Sequence, residues 1–192
     1  MYLYSSIVPC ISIVTLCYAF IYTVPLQKVT SRFKKMIKII FVCLGNICRS
    51  PLAEAIFQHK ITQKGLQNRI SCDSAGTANY HVGDDPDSRS IEVAVKHGVP
   101  IQHKGMQFHH SHGSEFDYIM AMDQSNFRNI IHELGYKHEG LSLMRDFDPK
   151  GKGLEVPDPY YGGKDGFEEV YQILDRSTEE LIEFLVDKHD LS

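Results

Sequence analysis

Ile37-Lys38-Ile39-Ile40-Phe41-Val42 runs without a break into Cys43-Leu44-Gly45-Asn46-Ile47-Cys48-Arg49-Ser50-Pro51. A nearly continuous apolar run of this length is the pattern of a strand buried on both faces. The Gly- and Asn-containing loop that follows leads to a helix. Pro51 suits a first helical turn, Glu54 suits the positive helix start, and Ala53, Ile56, Phe57 and Ile61 fall on one face before Gly65. Strand, loop and helix therefore form one unit, and the alternation recurs. Ile70 to Ala75 reads as a strand, Pro86 to His97 as a helix closed by Gly98, and Phe116 to Met122 as a strand. Asp123 then caps a helix with Phe127, Ile130, Ile131 and Leu134 on its apolar face and Gly135 at its end. A short strand at Leu141 to Met144 precedes a polar loop from Asp146 to Asp165. In the last helix Phe167, Val170, Tyr171, Leu174, Leu181, Ile182 and Leu185 recur at three-and-four spacing. Alternating strands and helices predict an α/β fold whose parallel sheet is covered on both sides, with ligands bound beyond the carboxyl ends of the strands.

Composition narrows the function classes. The 192 residues carry a net charge of −4, but residues 1–35 hold Lys28, Arg32, Lys34 and Lys35 and no acid, so residues 36–192 carry −8. A body this acidic repels a phosphate backbone, which argues against nucleic acid as the partner. Five cysteines, Cys10, Cys17, Cys43, Cys48 and Cys72, are odd in number and irregularly spaced, so free thiols in a reducing cytoplasm are expected instead of a disulfide framework. Residues 1–35 read as an apolar and then basic extension, with the globular domain at 36–192. The stretch Ile7 to Leu26 is long enough, about 30 Å as a helix, to anchor in a membrane. Lys28 to Lys35 would then hold the domain on the cytoplasmic side. Pro9, Pro25 and the lack of a basic segment before it favour the alternative, an extension of the reading frame ahead of Met36.

The five residues between Cys43 and Arg49 allow successive backbone N–H groups to face one centre, next to the positive start of the following helix. An oxyanion suits that centre. Gly45 and Asn46 are the residue types that tolerate a left-handed backbone there. Arg49 offers a planar fork to two phosphate oxygens. A thiol over a helix start beside Arg falls below its usual pKa of about 8.5, so Cys43 is the expected nucleophile, with the Ser50 hydroxyl beside it.

Val42 to Pro51 resembles the signature of the low-molecular-weight protein tyrosine phosphatases. Asp158-Pro159-Tyr160-Tyr161 is similar to that family's acid loop, Ala121-Met122-Asp123-Gln124-Ser125-Asn126 to its Met-Asp-x-Ser-Asn segment, and Asp73-Ser74-Ala75 and Tyr80 to Gly83 follow in family order. The resemblance covers Met36 to the C-terminus. It implies a flavodoxin-like, three-layer α/β/α fold around a four-stranded parallel sheet. It also implies hydrolysis of phosphotyrosine, and of small aryl phosphates, through a phosphocysteine intermediate with no metal or cofactor. On this resemblance Cys43, Arg49 and Asp158 are catalytic, Asp158 serving as acid and then base. Leu44, Gly45, Asn46, Ile47, Cys48 and Ser50 bind phosphate, Tyr80, Tyr160 and Tyr161 wall the substrate ring, and His103, Ser74 and Asp123 support the loop. It further implies that Tyr160 or Tyr161 is a phosphorylation site and that Cys48 protects Cys43 through a reversible disulfide. Relatives of this fold suggest alternatives. Thiol-relay arsenate reductases need further cysteines downstream, which are absent after Cys72, and phosphoarginine phosphatases carry Thr where this loop has Ile47. A non-catalytic phosphate-binding module would lack the nucleophile or the acid. His109, His110 and His112 read as a solvated loop without metal-ligand spacing, and Asp84, Asp85 and Asp87 as helix-start charges.

Overall fold

The computed structural model describes residues 35–191. The apolar stretch Ile7 to Leu26 and the basic residues up to Lys34 lie outside the described residues, as does the side chain of Tyr161. Among the described residues no helix is long and apolar enough to cross a membrane.

Strand β1 (Ile37–Cys43) is buried on both faces apart from Lys38. Its side chains alternate between two cores, as the period of two requires. Ile37, Ile39, Phe41 and Cys43 join one cluster, while Ile40 and Val42 join the other. The first cluster is completed by α1 (Arg49–Gln63), α2 (Ser88–Lys96) and α5 (Gly163–His189). In it Leu52, Ile56, Phe57 and Ile61 of α1 are fully enclosed, each burial contributing about 1.5–3 kcal/mol. On the opposite face Ile130 and Leu134 of α4 (Gln124–Leu134) cover Ile119 and Ala121 of β3 (Tyr118–Ala121). A short α3 (His112–Glu115) precedes β3. The three-layer α/β/α expectation holds.

With β2 (Ile70–Gly76) and β4 (Leu141–Leu143), the sheet has four parallel strands in the order β2-β1-β3-β4. The chain therefore leaves β1 toward one neighbour and returns on its other side. The carboxyl end of β1 lies at that reversal, where open α/β sheets form their ligand crevice.

Several element ends differ from expectation. Helix α2 begins after Pro86, because the Asp87 carboxylate accepts Arg89 N and makes Asp87 the cap. Strand β3 is shorter at both ends. Strand β4 gives way at Met144 to a 3-10 turn, in which the Asp146 carboxylate accepts Leu143 N. Gly135, at φ 78°, ends α4 in the left-handed conformation as predicted.

Candidate active site

The Cys48 side chain forms no cap on α1, so the first N–H groups of that helix remain available to an anion above the loop. Asn46 takes the left-handed backbone, φ 56°. Gly45 does not, contrary to expectation. It is small for a different reason, since a Cβ there would stand 3.1 Å from the His81 ring.

Asn46 is 1% exposed and its amide is fully used. Oδ1 accepts from Met106 N at 2.7 Å and from His103 Nε2 at 2.8 Å, while Nδ2 donates to Ser50 Oγ and Ser74 Oγ, both at 2.9 Å. Ser74 Oγ donates to Glu54 Oε2 at 2.6 Å, and His103 Nδ1 lies 3.1 Å from the same oxygen. Three hydrogen bonds and the His103–Glu54 contact thus close a ring that fixes the loop from behind. Glu54, Asp73 and His103 bring possible ligand atoms within 4.8 Å of one another, but Glu54 and His103 are committed to this ring and Asp73 accepts Ser74 N.

Ser50 Oγ accepts from Asn46, lies 3.0 Å from Cys43 Sγ and reaches Ala75 O at 3.4 Å. Asn46 N points at the same sulfur from 3.2 Å. Arg49, 5% exposed along its side chain, donates to Asp123 Oδ2 at 2.8 Å, to Val156 O at 3.2 Å and to Asp158 Oδ2 at 3.4 Å. Burial works against its charge, but Cys43, Asp123 and Asp158 outweigh that and hold its pKa above the usual arginine value. Asp123 therefore has two roles, since it also caps α4 by accepting Asn126 N.

The polar loop reaches the site through two anchors. Asp148 is buried between Arg145 and Arg176, which with the Lys150 amide hold its carboxyl below the ordinary range despite burial. Val156 N then donates to Met122 O at 2.8 Å, just past the carboxyl end of β3. Asp158 follows, with Oδ1 accepting Tyr160 N at 3.1 Å and the side chain 46% exposed. The resulting cleft, about 280 Å³, is lined by Cys43, Leu44, Gly45, Ile47, Cys48 and Arg49 and closed by Tyr80, His81, Asp158 and Tyr160. Tyr80 and Tyr160 are exposed at its mouth.

Cys43, Leu44, Gly45, Ile47, Cys48, Arg49, Asp158, Tyr80 and Tyr160 thus meet in one cleft, whereas Asn46 and Ser50, expected among its lining, are buried with the supporting Ser74. Sequence reasoning missed Glu54 as the brace, His81 as a wall and Val156 as a partner of Arg49. It misread His112, which is buried beside Phe108 and Phe116 and accepts His109 N, with its pKa lowered by burial. Asp84 and Asp85 do not lie in the first turn of α2 but pair with His81 and Lys104. Burial, reinforced by Asp87, Cys43 and Asp158, pushes the Cys48 thiol up to about 12.

Residues 38–190 match the model of the family described as low molecular weight phosphotyrosine protein phosphatase. The Saccharomyces cerevisiae protein of that name is 44% identical over 140 residues, covering 70% of this chain and 86% of the yeast one. A solved protein tyrosine phosphatase from Entamoeba histolytica, with Hepes in its active site, superposes with a TM-score of 0.76 at 42% identity, over 79% of this chain and 98% of that one. A Drosophila arginine phosphatase gives 0.71 at 31% identity, over 77% and 97%. By sequence and by fold, the chain belongs to the low molecular weight phosphotyrosine protein phosphatase family.

Proposed function

We propose that the protein is a tyrosine phosphatase that hydrolyses phosphotyrosine on proteins, and small aryl phosphates, through a phosphocysteine intermediate. The observation that carries this is Cys43 Sγ, which accepts Asn46 N and lies 3.0 Å from Ser50 Oγ beside an Arg49 braced by two carboxylates. In this reading the thiolate of Cys43 attacks phosphorus and the P–O bond to the phenol breaks. The loop N–H groups and Arg49 hold the charge on the three equatorial oxygens. Asp158 gives its proton to the departing tyrosine oxygen. It then takes one from the water that cleaves the S–P bond, releasing inorganic phosphate and restoring the thiolate. Tyr80 and Tyr160 flank the aromatic ring of the substrate. The test incubates labelled phosphotyrosyl peptide with wild type, Cys43→Ser and Asp158→Ala, traps protein-bound phosphate by acid quench, and compares turnover of phosphoarginine and arsenate. Label on Cys43 with selective phosphotyrosine turnover supports the reading. Faster phosphoarginine turnover or arsenate reduction would replace it.

Met36 is taken as the start of the phosphatase domain, which we place in the cytoplasm, in keeping with the free thiols of Cys43, Cys48 and Cys72. Membrane contact in this reading is confined to residues 7–26.

A further inference from the structure

The first turn of α2 touches both loops of the site. Asp87 N donates to Ile47 O at 2.8 Å and Ser90 Oγ to Cys48 O at 3.4 Å, which ties this turn to the phosphate-binding loop. The Asp87 carboxylate then grips Arg89 at two points, Nε to Oδ1 at 2.9 Å and Nη2 to Oδ2 at 2.7 Å. The third guanidinium nitrogen, Nη1, donates to Tyr160 O at 3.1 Å. The guanidinium carbon lies 5.3 Å from the centroid of the Tyr160 ring and 4.5 Å from that of Phe167. Residue 160 is thereby held at both ends of its backbone, its carbonyl by Arg89 and its N–H by Asp158 Oδ1.

We infer that Arg89, oriented by Asp87, is a positioning residue that aims the Asp158 carboxyl at the leaving oxygen by fixing the turn Pro159–Tyr161. This rests on the proposed role of Asp158. The other contact of that carboxylate, to Arg49 at 3.4 Å, is long, and a turn released from Arg89 would let the acid fold onto Arg49 or swing into solvent. The geometry also requires arginine. One planar fork serves a carboxylate and a carbonyl while stacking between two rings, which an ammonium cannot do.

A displaced general acid penalises poor leaving groups and spares good ones. The experiment therefore compares kcat/KM for phenyl phosphate and 2,4-dinitrophenyl phosphate in wild type, Asp158→Ala, Arg89→Gln and Arg89→Lys. Asp158→Ala should lose about a hundredfold or more on the phenyl ester and little on the dinitrophenyl ester. Arg89→Gln should lose about tenfold on the phenyl ester but less than about twofold on the activated one, with Arg89→Lys no better, as expected for misplaced chemistry. Retained turnover of the activated ester also reports that the variants fold. If Asp158→Ala shows the selective loss while Arg89→Gln loses equally on both esters, or on neither, the inference about Arg89 is overturned and the role of Asp158 stands. If Asp158→Ala itself shows no selectivity, the assignment of the acid fails and the inference falls with it.

Discussion

Asn46 offers the sharpest test of how the loop is held, because it combines a left-handed backbone with an amide whose four hydrogen-bonding positions are all filled. Replacement by alanine leaves Met106 N and His103 Nε2 without their acceptor and keeps a Cβ in the left-handed conformation. An orphaned polar group costs about 1–3 kcal/mol, and the left-handed steric term is common to asparagine and alanine, so Asn46→Ala should lose about 1–3 kcal/mol. Asn46→Gly loses the same side-chain bonds but is relieved of the steric term. Glycine returns part of that gain through the greater freedom of its unfolded chain, which leaves it about 0.5–1 kcal/mol more stable than the alanine variant. Urea unfolding of the three proteins measures both differences, provided the slope against denaturant stays constant. Both variants should also lose more than about tenfold in kcat/KM for an aryl phosphate, since the amide aimed at Cys43 Sγ is no longer fixed. Variants as stable as wild type, or full activity in either, would refute the bracing role of Asn46.

Glu168 is hydrogen-bonded first by Lys96 and then by Gln172 and His97, which holds its pKa near 2 against an ordinary 4.5. A depressed folded-state pKa stabilises above the unfolded value and is lost as pH falls through the folded one. The stability gap between wild type and Glu168→Gln should therefore be constant above pH 4.5 and close between 4.5 and about 2; a gap that ignores pH refutes the pairing. The Cys48 thiol, pushed up to about 12, should resist iodoacetamide at neutral pH while Cys43 is modified. Peptide mass spectrometry reads this directly, and equal labelling would contradict it. A methyl group on Gly105 would collide with the His81 carbonyl oxygen. Gly105→Ala should cost about 1–3 kcal/mol and raise KM by shifting the Tyr80 wall, whereas an unchanged KM would show that this wall does not touch substrate.

How much of the molecule was legible in the chain depends on how far apart the interacting groups lie in sequence. The strand Ile37 to Val42, the caps at Asp123 and Gly135 and the periodic last helix are local signals, and each sits where the residues predicted. So does the left-handed Asn46. Gly45 misled because glycine serves two ends, a positive φ or a close approach, and only the His81 ring, 36 positions away, reveals which applies. Glu54 is the clearest loss. By sequence it is an acid near a helix start, yet its partners are Ser74 and His103, 20 and 49 positions on, and they reach it only because β2 lies beside β1.

The aspartates show the same rule from the other side. Asp87 and Asp123 accept N–H groups two and three residues ahead, so both caps are local, although Asp123 alone was expected as a cap and Asp87 as a charge at the helix start. Asp148, in a stretch read only as polar, is the buried counter-ion of Arg145 and of Arg176, the latter 28 positions away on the last helix. It fixes the start of the loop whose far end delivers Asp158, and nothing in the sequence around it distinguishes it from the exposed Asp84 or Asp85. The resemblance to a family supplied Asp158 because it transfers positions already selected by a three-dimensional site. It supplied neither Asp148 nor Arg89, which act on that acid through the chain between them. The residues proposed to perform the chemistry are thus the more readable ones, and those that place them become visible only when the sheet brings distant segments into contact.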